Sequence, residues 1–448
     1  MDRRSRLRAF TVVILLATAL FGLQALAADA SPALSGLDNR SADADRPPEN
    51  ATLIGVQSYG GFGGNNGKAL VVHRGEVVWE YDPADSRVFD VEYLGDGRIM
   101  ASVATKHGQD DCPEEFLDSS YNGAACVENR VVEIDYGTKE IVWEYSWYDH
   151  YISHHEVHDA DRLENGETAI IDMGNDRAFT VDRAGDITWN WSATEHLSEG
   201  TEFYEEHGGP ERAGPESDWT HMNDIDRLEN GNYQMSIRNY DVLIEVDPET
   251  GEVVDTVGEP RETVGSDALL YEQHNPHRLE SQGTVLVANS EANEIVEVDV
   301  ETEEVVWRFT GDDQSIVWPR DADRMPNGHT LVTDSLGFRV VEVDRDGEVV
   351  WEYYVENSAG RGIPYEADRI GTPEEAASNV SGRQLESNAG GSASQLDKLG
   401  RYVDLYLPVW AGLPARLTLL VGLLASLGAS LDLLVALLSR AVAAVRRR

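Results

Sequence analysis

Histidine is placed unevenly in this chain. Seven of its twelve histidines, at positions 154, 155, 158, 221, 274, 277 and 329, lie within or just beyond four short stretches that lead into Asp-Arg-Leu-type units. The first stretch holds His154, His155, Glu156 and His158, and the second His221 and Asn223. The third holds Gln273, His274, Asn275 and His277, and the fourth Trp318 and Arg320, while Arg238 follows the second. Imidazole near neutral pH can act as nucleophile, as general acid or base, or as metal ligand. Three readings stand at this level. The histidines can simply satisfy backbone groups at a polar rim, or they can hold zinc or copper. Alternatively, because Arg238 and Arg320 oppose a further cation, the mixture of histidine and arginine suits a tetrahedral oxyanion. No metal is expected on this set.

Such chemistry needs the four stretches to converge, and an internal repeat provides for it. One unit couples an acidic turn to a Val-Val-Trp-Glu-Tyr-type strand. It runs from Val71 to Tyr81 and recurs at Glu133-Ile134-Asp135 with Trp143, Val181-Asp182 with Trp189, Val298-Asp299 with Trp307, and Val343-Asp344 with Trp351. A further copy, Glu245-Val246-Asp247, carries Asp255 where the others carry Trp. A second unit precedes most of these, as in Asp159-Ala160-Asp161-Arg162-Leu163 and Asp321-Ala322-Asp323-Arg324-Met325. Together they make four short strands per repeat of about 45–65 residues, which is the pattern of a propeller blade. The first copy lacks an inner strand, and Tyr365 to Ile370 reads as an inner strand without a hairpin. Pairing the two closes a ring. The fold class expected is therefore all-β, a six-bladed β-propeller over residues 52–371, with a solenoid of stacked hairpins as the alternative.

On these motifs the chain resembles the arylsulfate sulfotransferase family. The specific part is Trp219-Thr220-His221-Met222-Asn223, then Met235-Ser236-Ile237-Arg238-Asn239, then Glu272-Gln273-His274-Asn275, with Ser153-His154-His155-Glu156 upstream. The resemblance spans roughly residues 52–370. It implies transfer of a sulfuryl group from a phenolic sulfate ester to a phenolic acceptor through a sulfohistidine, with no nucleotide sulfate donor and no cofactor. By position it makes His274 the nucleophile. His221, Asn223 and Arg238 match residues that hold sulfate oxygens, and His155 is the expected third catalytic histidine, with the adjacent His154 left open as a substrate-binding residue. His158 and Arg320 complete the expected substrate-binding set. A non-catalytic surface propeller that binds glycan or protein is the competing function, followed by a quinoprotein-like or hydrolytic enzyme.

The formal net charge is −45 and is spread over the folded region, which reads as adaptation to high salt, where self-repulsion is screened. No basic face offers itself to nucleic acid. Basic residues followed by the apolar run Ala9 to Ala28 make residues 1–28 a secretory signal or an uncleaved anchor. Residues 372–400 read as a flexible linker and 401–448 as a membrane anchor with a helix at about 417–439. Asp432 interrupts that helix, so an amphipathic or hairpin-like segment is the alternative. The trailing Arg446, Arg447 and Arg448 favour a cytoplasmic C-terminus and an extracellular propeller. Cys112 and Cys126 are read as a disulfide.

Overall fold

The described residues of the computed structural model are 3–29, 45–116, 125–150, 154–214, 217–260, 268–358, 360–372, 380–391 and 393–445. Arg446 to Arg448, Ser153 and part of the expected linker lie outside them. The chain divides into a propeller unit, residues 39–406, and a helical unit, residues 1–38 with 407–448.

Six antiparallel sheets make the propeller. Blade 1 is built from both ends of the unit: Gly360–Arg369 is innermost and pairs with Thr52–Tyr59, followed by Lys68–His73 and Glu76–Tyr81. Leu53 sits opposite Asp368, so the ring closes where the repeat lacks a strand. The next five innermost strands are Ser86–Gly95, Ala160–Arg162, Met222–Arg227, His274–Leu279 and Pro319–Arg324, each leading a four-stranded sheet.

The repeated tryptophans tie blades together. Trp79 Nε1 donates to the Tyr136 carbonyl, 3.0 Å away in the next blade's hairpin, and Trp143 Nε1 to that of Arg183 at 3.2 Å. In blade 3 the tie comes from Trp191, which donates to the Gly251 carbonyl at 2.9 Å, while Trp189 stacks on Tyr233. Each Asp before a hairpin caps its own turn; Asp182, for example, accepts from the amides of Ala184 and Asp186. Cys112 and Cys126 are disulfide-bonded, with Cα atoms 5.9 Å apart.

Residues 380–391 depart from the expected flexible linker, because they dock on blade 5. Gly382 N donates to the buried Glu297 carboxylate, Trp307 Nε1 donates to Glu386 O at 3.1 Å, and Asn388 bridges Phe309. A Ser394–Asp397 capping box then starts a helix, Gln395–Leu405, whose Leu405 packs with Val317, Leu336 and Phe338 of the propeller. This helix belongs to the propeller unit, so the expected anchor boundary at 401 falls inside it.

In the helical unit, Arg3–Asp29 and Leu413–Val445 are each long and apolar enough to cross a membrane. They pair antiparallel: Phe21 lies against Trp410, Ala17 approaches Gly422, and Arg6 binds Asp432 at 2.6 Å.

Candidate functional site

The site rests on a slip in register repeated around the ring. Blade by blade, the innermost strand bulges at one level: between Val88 and Val91, Met222 and Asp224, His274 and His277, Pro319 and Asp321, and opposite Gly55–Val56 in blade 1. A bulge re-aims a side chain, so two successive residues can address the channel instead of alternating. The upper member of each pair forms the floor of one mouth and includes Phe89, His274, Arg320 and Tyr365. Just before the strands, His154, His221, Glu272 and Trp318 take positive φ of 66°, 47°, 46° and 54°. Non-glycine residues adopt that conformation at a cost and cluster at functional sites.

His274 is buried at the centre. Its ring lies 6.4 Å from His221, 6.3 Å from Trp318 and 6.1 Å from Tyr365 between centroids. Its Nδ1 is 2.8 Å from Ser290 Oγ and 3.2 Å from the Glu272 carbonyl oxygen. Ser290 donates its own proton to the Pro319 carbonyl at 2.7 Å, so Oγ can only accept from His274. Nδ1 therefore carries the hydrogen and Nε2 keeps its lone pair. Burial, followed by Arg320 and Arg238, pushes the imidazole well below its ordinary pKa. The nitrogen is neutral and available.

His221 donates from Nδ1 to Asp218 at 2.7 Å, and burial and Arg238 lower its pKa to about 4. Asp218, held low mainly by His221, also takes His154 Nδ1 at 3.2 Å. Of the adjacent pair it is thus His154 that joins the group around His221. His155 sits on Asp149 at 2.9 Å, where Gly174 makes room: a Cβ there would come within 2.7 Å of the imidazole. His158 stacks on Phe89 at 4.6 Å, edge-on to His221 at 5.3 Å, and burial lowers its pKa strongly. His277 pairs with Asp323 deeper in the channel, and His329 with Glu342 at the periphery.

The two arginines differ. Arg238 is ion-paired with Glu272, but its buried Nε has no partner. Arg320 is 6% exposed, lies over Trp318 and Tyr365 at 4.1 and 4.8 Å, and bonds Gln57 at 2.5 Å. Among the described residues it has no carboxylate partner, its Nε is unbonded, and burial lowers its pKa to about 10. A buried guanidinium left so exposes donors for an anion. Asn223 is a positioning residue: its amide donates to the Gln273 carbonyl at 2.8 Å, fixing the backbone before His274.

Tyr365 is a site residue that the sequence motifs do not single out. It is fully buried, its hydroxyl is unbonded among the described residues, and it faces His158, His274 and Arg320. Its register before Glu366 matches His274 before Asn275 and Arg320 before Asp321, and that correspondence was the available signal. Above the floor, Phe62 packs on Trp318 and on Tyr402 of the helix Gln395–Leu405, so that helix roofs part of the mouth. His154, Asp218 and His221 place ligand atoms within 4.8 Å of one another, a metal-like geometry that Arg238, acting on both His221 and Asp218, opposes.

Residues 64–275 match the arylsulfotransferase (ASST) family, and residues 225–382 match the family described as outer membrane protein assembly factor BamB. No curated protein matches the chain. Among solved structures, a Bacteroides caccae protein of unknown function aligns at 15% identity over 72% of this chain and 100% of that one, TM-score 0.48. Virginiamycin B lyase from Staphylococcus aureus, solved as a catalytically inactive form with quinupristin, aligns at 10% identity over 71% and 89%, TM-score 0.39. The WD40 β-propeller domain of Doa1 aligns at 11% identity over 72% and 83%, TM-score 0.39. Likenesses at this level carry nothing about chemistry.

Proposed function

We propose, from the match of residues 64–275 to the arylsulfotransferase (ASST) family, that the mouth moves a sulfuryl group between phenolic oxygens by way of a sulfohistidine at His274. One observation carries this reading: His274 is a buried residue whose Nδ1 hydrogen is held by Ser290, which leaves the Nε2 lone pair free beside Arg320 and Arg238, each with an Nε unbonded among the described residues.

In the first half-reaction, His274 Nε2 forms a bond to sulfur while the sulfur–aryl oxygen bond breaks, and the electron pair leaves with that oxygen. Arg320 and Arg238 take the charge on the sulfuryl oxygens, with the Tyr365 hydroxyl as a further donor. The leaving oxygen receives a proton from His221, whose imidazolium is paired with Asp218. In the second half, an acceptor phenol attacks sulfur and returns its proton to His221, and the nitrogen–sulfur bond breaks back onto Nε2. Burial and then Arg238 lower His221 in the empty site; the bound anion offsets the Arg238 part and, with Asp218, favours protonation of the ring. Splitting the transfer this way gives ping-pong kinetics. The two apolar helices would hold the enzyme at a membrane, with the propeller on its outer side.

The test is the full-length chain in detergent and molar salt, given a chromogenic aryl sulfate with and without phenol. The expected result is a burst of phenolate without acceptor and a gain of one SO3 on His274 in peptide mass spectra. Turnover that persists in His274→Ala would overturn the covalent scheme. A correctly folded chain that turns over no aryl sulfate would favour the non-catalytic surface propeller, in keeping with the BamB-type match.

A further inference from the structure

Directly beneath the mouth floor, the lower members of the five bulge pairs, Asp90, Asp224, Asn275, Asp321 and Glu366, make a second layer with Asp159, which precedes the inner strand of blade 3. All six are at most 7% exposed. They face one another across the channel, since Asp224 feels Asp159, Asp321 and Asp90, and Asn275 Nδ2 reaches Glu366 at 3.3 Å. Part of the layer has a structural task. Ala160 N donates to Asp90, Ile225 N to Asp159 and Ala367 N to Asp321, so these carboxylates satisfy the free edge of the next blade's inner strand. That task explains why the repeat carries Asp here.

It leaves other oxygens unexplained. Asp224 Oδ1 and Asn275 Oδ1 are buried and accept no hydrogen bond among the described residues. Nor does any Lys or Arg pair with Asp90, Asp159, Asp224 or Asp321 among those residues, although the layer holds five carboxyl groups. A buried oxygen that accepts no hydrogen bond is costly, and a coordinated cation satisfies it.

We propose that this layer binds one hard divalent cation, calcium, on the propeller axis, with Asp90, Asp159 and Glu366 as its core ligands and Asp224 and Asn275 Oδ1 completing the shell. The donor set is all oxygen, carboxylate with one amide, which is calcium chemistry rather than zinc chemistry. The ligand oxygens of Asp90, Asp159 and Glu366 already lie within 4.8 Å of one another. That proximity lets one cation touch all three, and a shell of several protein oxygens suits calcium, which takes about 6–8 such ligands, better than magnesium, which keeps several of its waters. Access comes from the far end of the channel. A cleft of about 840 Å³ opens there, lined by residues that include Asp226, His277 and Arg278. The site is separate from the sulfuryl chemistry and does not depend on it.

The experiment uses the full-length chain in detergent at constant molar sodium chloride, stripped with EDTA and re-equilibrated with radiolabelled calcium. One calcium per chain is expected, retained against excess magnesium, with a melting temperature several degrees above that of the stripped protein. Asp224→Asn should weaken calcium binding at least tenfold, while Glu301→Gln, on an exposed hairpin, should leave it unchanged. Retention of no stoichiometric calcium by the unmodified chain, or equal loss in both variants, would overturn the proposal, since non-specific screening of an acidic surface predicts those results. If Asp224→Asn does not fold, Asn275→Ala, which removes one ligand oxygen and no charge, supplies the same comparison.

Discussion

Ser290 Oγ lies 2.8 Å from His274 Nδ1 and 2.7 Å from the Pro319 carbonyl, and this relay from blade 5 to blade 6 sets the His274 tautomer. The serine proton is committed to the carbonyl, so the imidazole must be the donor and Nε2 must be free. Glu272 O, at 3.2 Å, is a second acceptor for the same hydrogen. Ser290→Ala therefore leaves the tautomer favoured but less firmly held. Loss of one such bond, about 0.5–1.5 kcal/mol, predicts a fall in kcat of roughly 3- to 10-fold with KM little changed. Single-turnover kinetics on an aryl sulfate would check it, and sulfation of His274 should persist.

Arg320 makes opposite demands on activity and stability. It is a buried cation without a carboxylate partner, so it stabilises the bound sulfate ester and strains the empty fold. Arg320→Met keeps much of the volume and the packing on Trp318 and Tyr365. The expected outcome is a loss of about 10²-fold or more in kcat/KM, together with a melting temperature equal to or above that of the unmodified protein. A variant that loses activity and stability in parallel would mark Arg320 as a packing residue instead.

The mouth histidines should make the fold acid-sensitive. His221 has its pKa lowered from 6.5 to about 4, and His158 and His274 are lowered well below 6.5, all mainly by burial. A histidine depressed in the folded state is neutral there while the unfolded chain takes up a proton. Its contribution is complete above pH 6.5 and is lost as pH falls toward the folded value. For His221 that amounts to about 3 kcal/mol between pH 6.5 and 4. His221→Gln should flatten this part of the curve of urea midpoint against pH. The raised channel carboxyls act in the reverse sense, taking up protons on folding, so comparing the variant with the unmodified protein isolates the histidine.

Much of this was legible in the sequence because propeller repeats advertise themselves. The outer-strand Trp recurs because its ring packs or bonds against the next segment, as Trp79 and Trp143 do on neighbouring hairpins, and ring closure followed from a missing strand at one end and a spare one at the other. His221, His274, Arg238 and Arg320 were readable because blade-entry stretches must converge. Tyr365 was not, because its partners, Arg320 and His274, come from other blades and only the shared bulge register aligns them. The choice between His154 and His155 was also beyond sequence reading: it turns on whether Asp149 or Asp218 is within reach. Residues 380–391 look like a tether by composition, yet their backbone caps Trp307 and Glu297, which no local pattern reveals.

Arg6 and Asp432 give a last prediction, this one about the helical unit. Asp432 interrupts an otherwise apolar helix, and a lone carboxylate at mid-membrane costs about 2.5–3.5 kcal/mol on insertion scales. The 2.6 Å pair with Arg6 offsets that cost, but only in a chain that keeps its first helix. If the pair forms in the membrane, the N-terminal segment is an anchor and not a cleaved signal. Intact-mass measurement of the membrane-extracted protein should then include residues 1–29. Arg6→Leu alone should lower the yield of inserted protein by removing the cation that faces Asp432, and Asp432→Leu should rescue it in the double variant. A mature protein beginning after Ala28 would refute the pairing directly, because Arg6 would be gone.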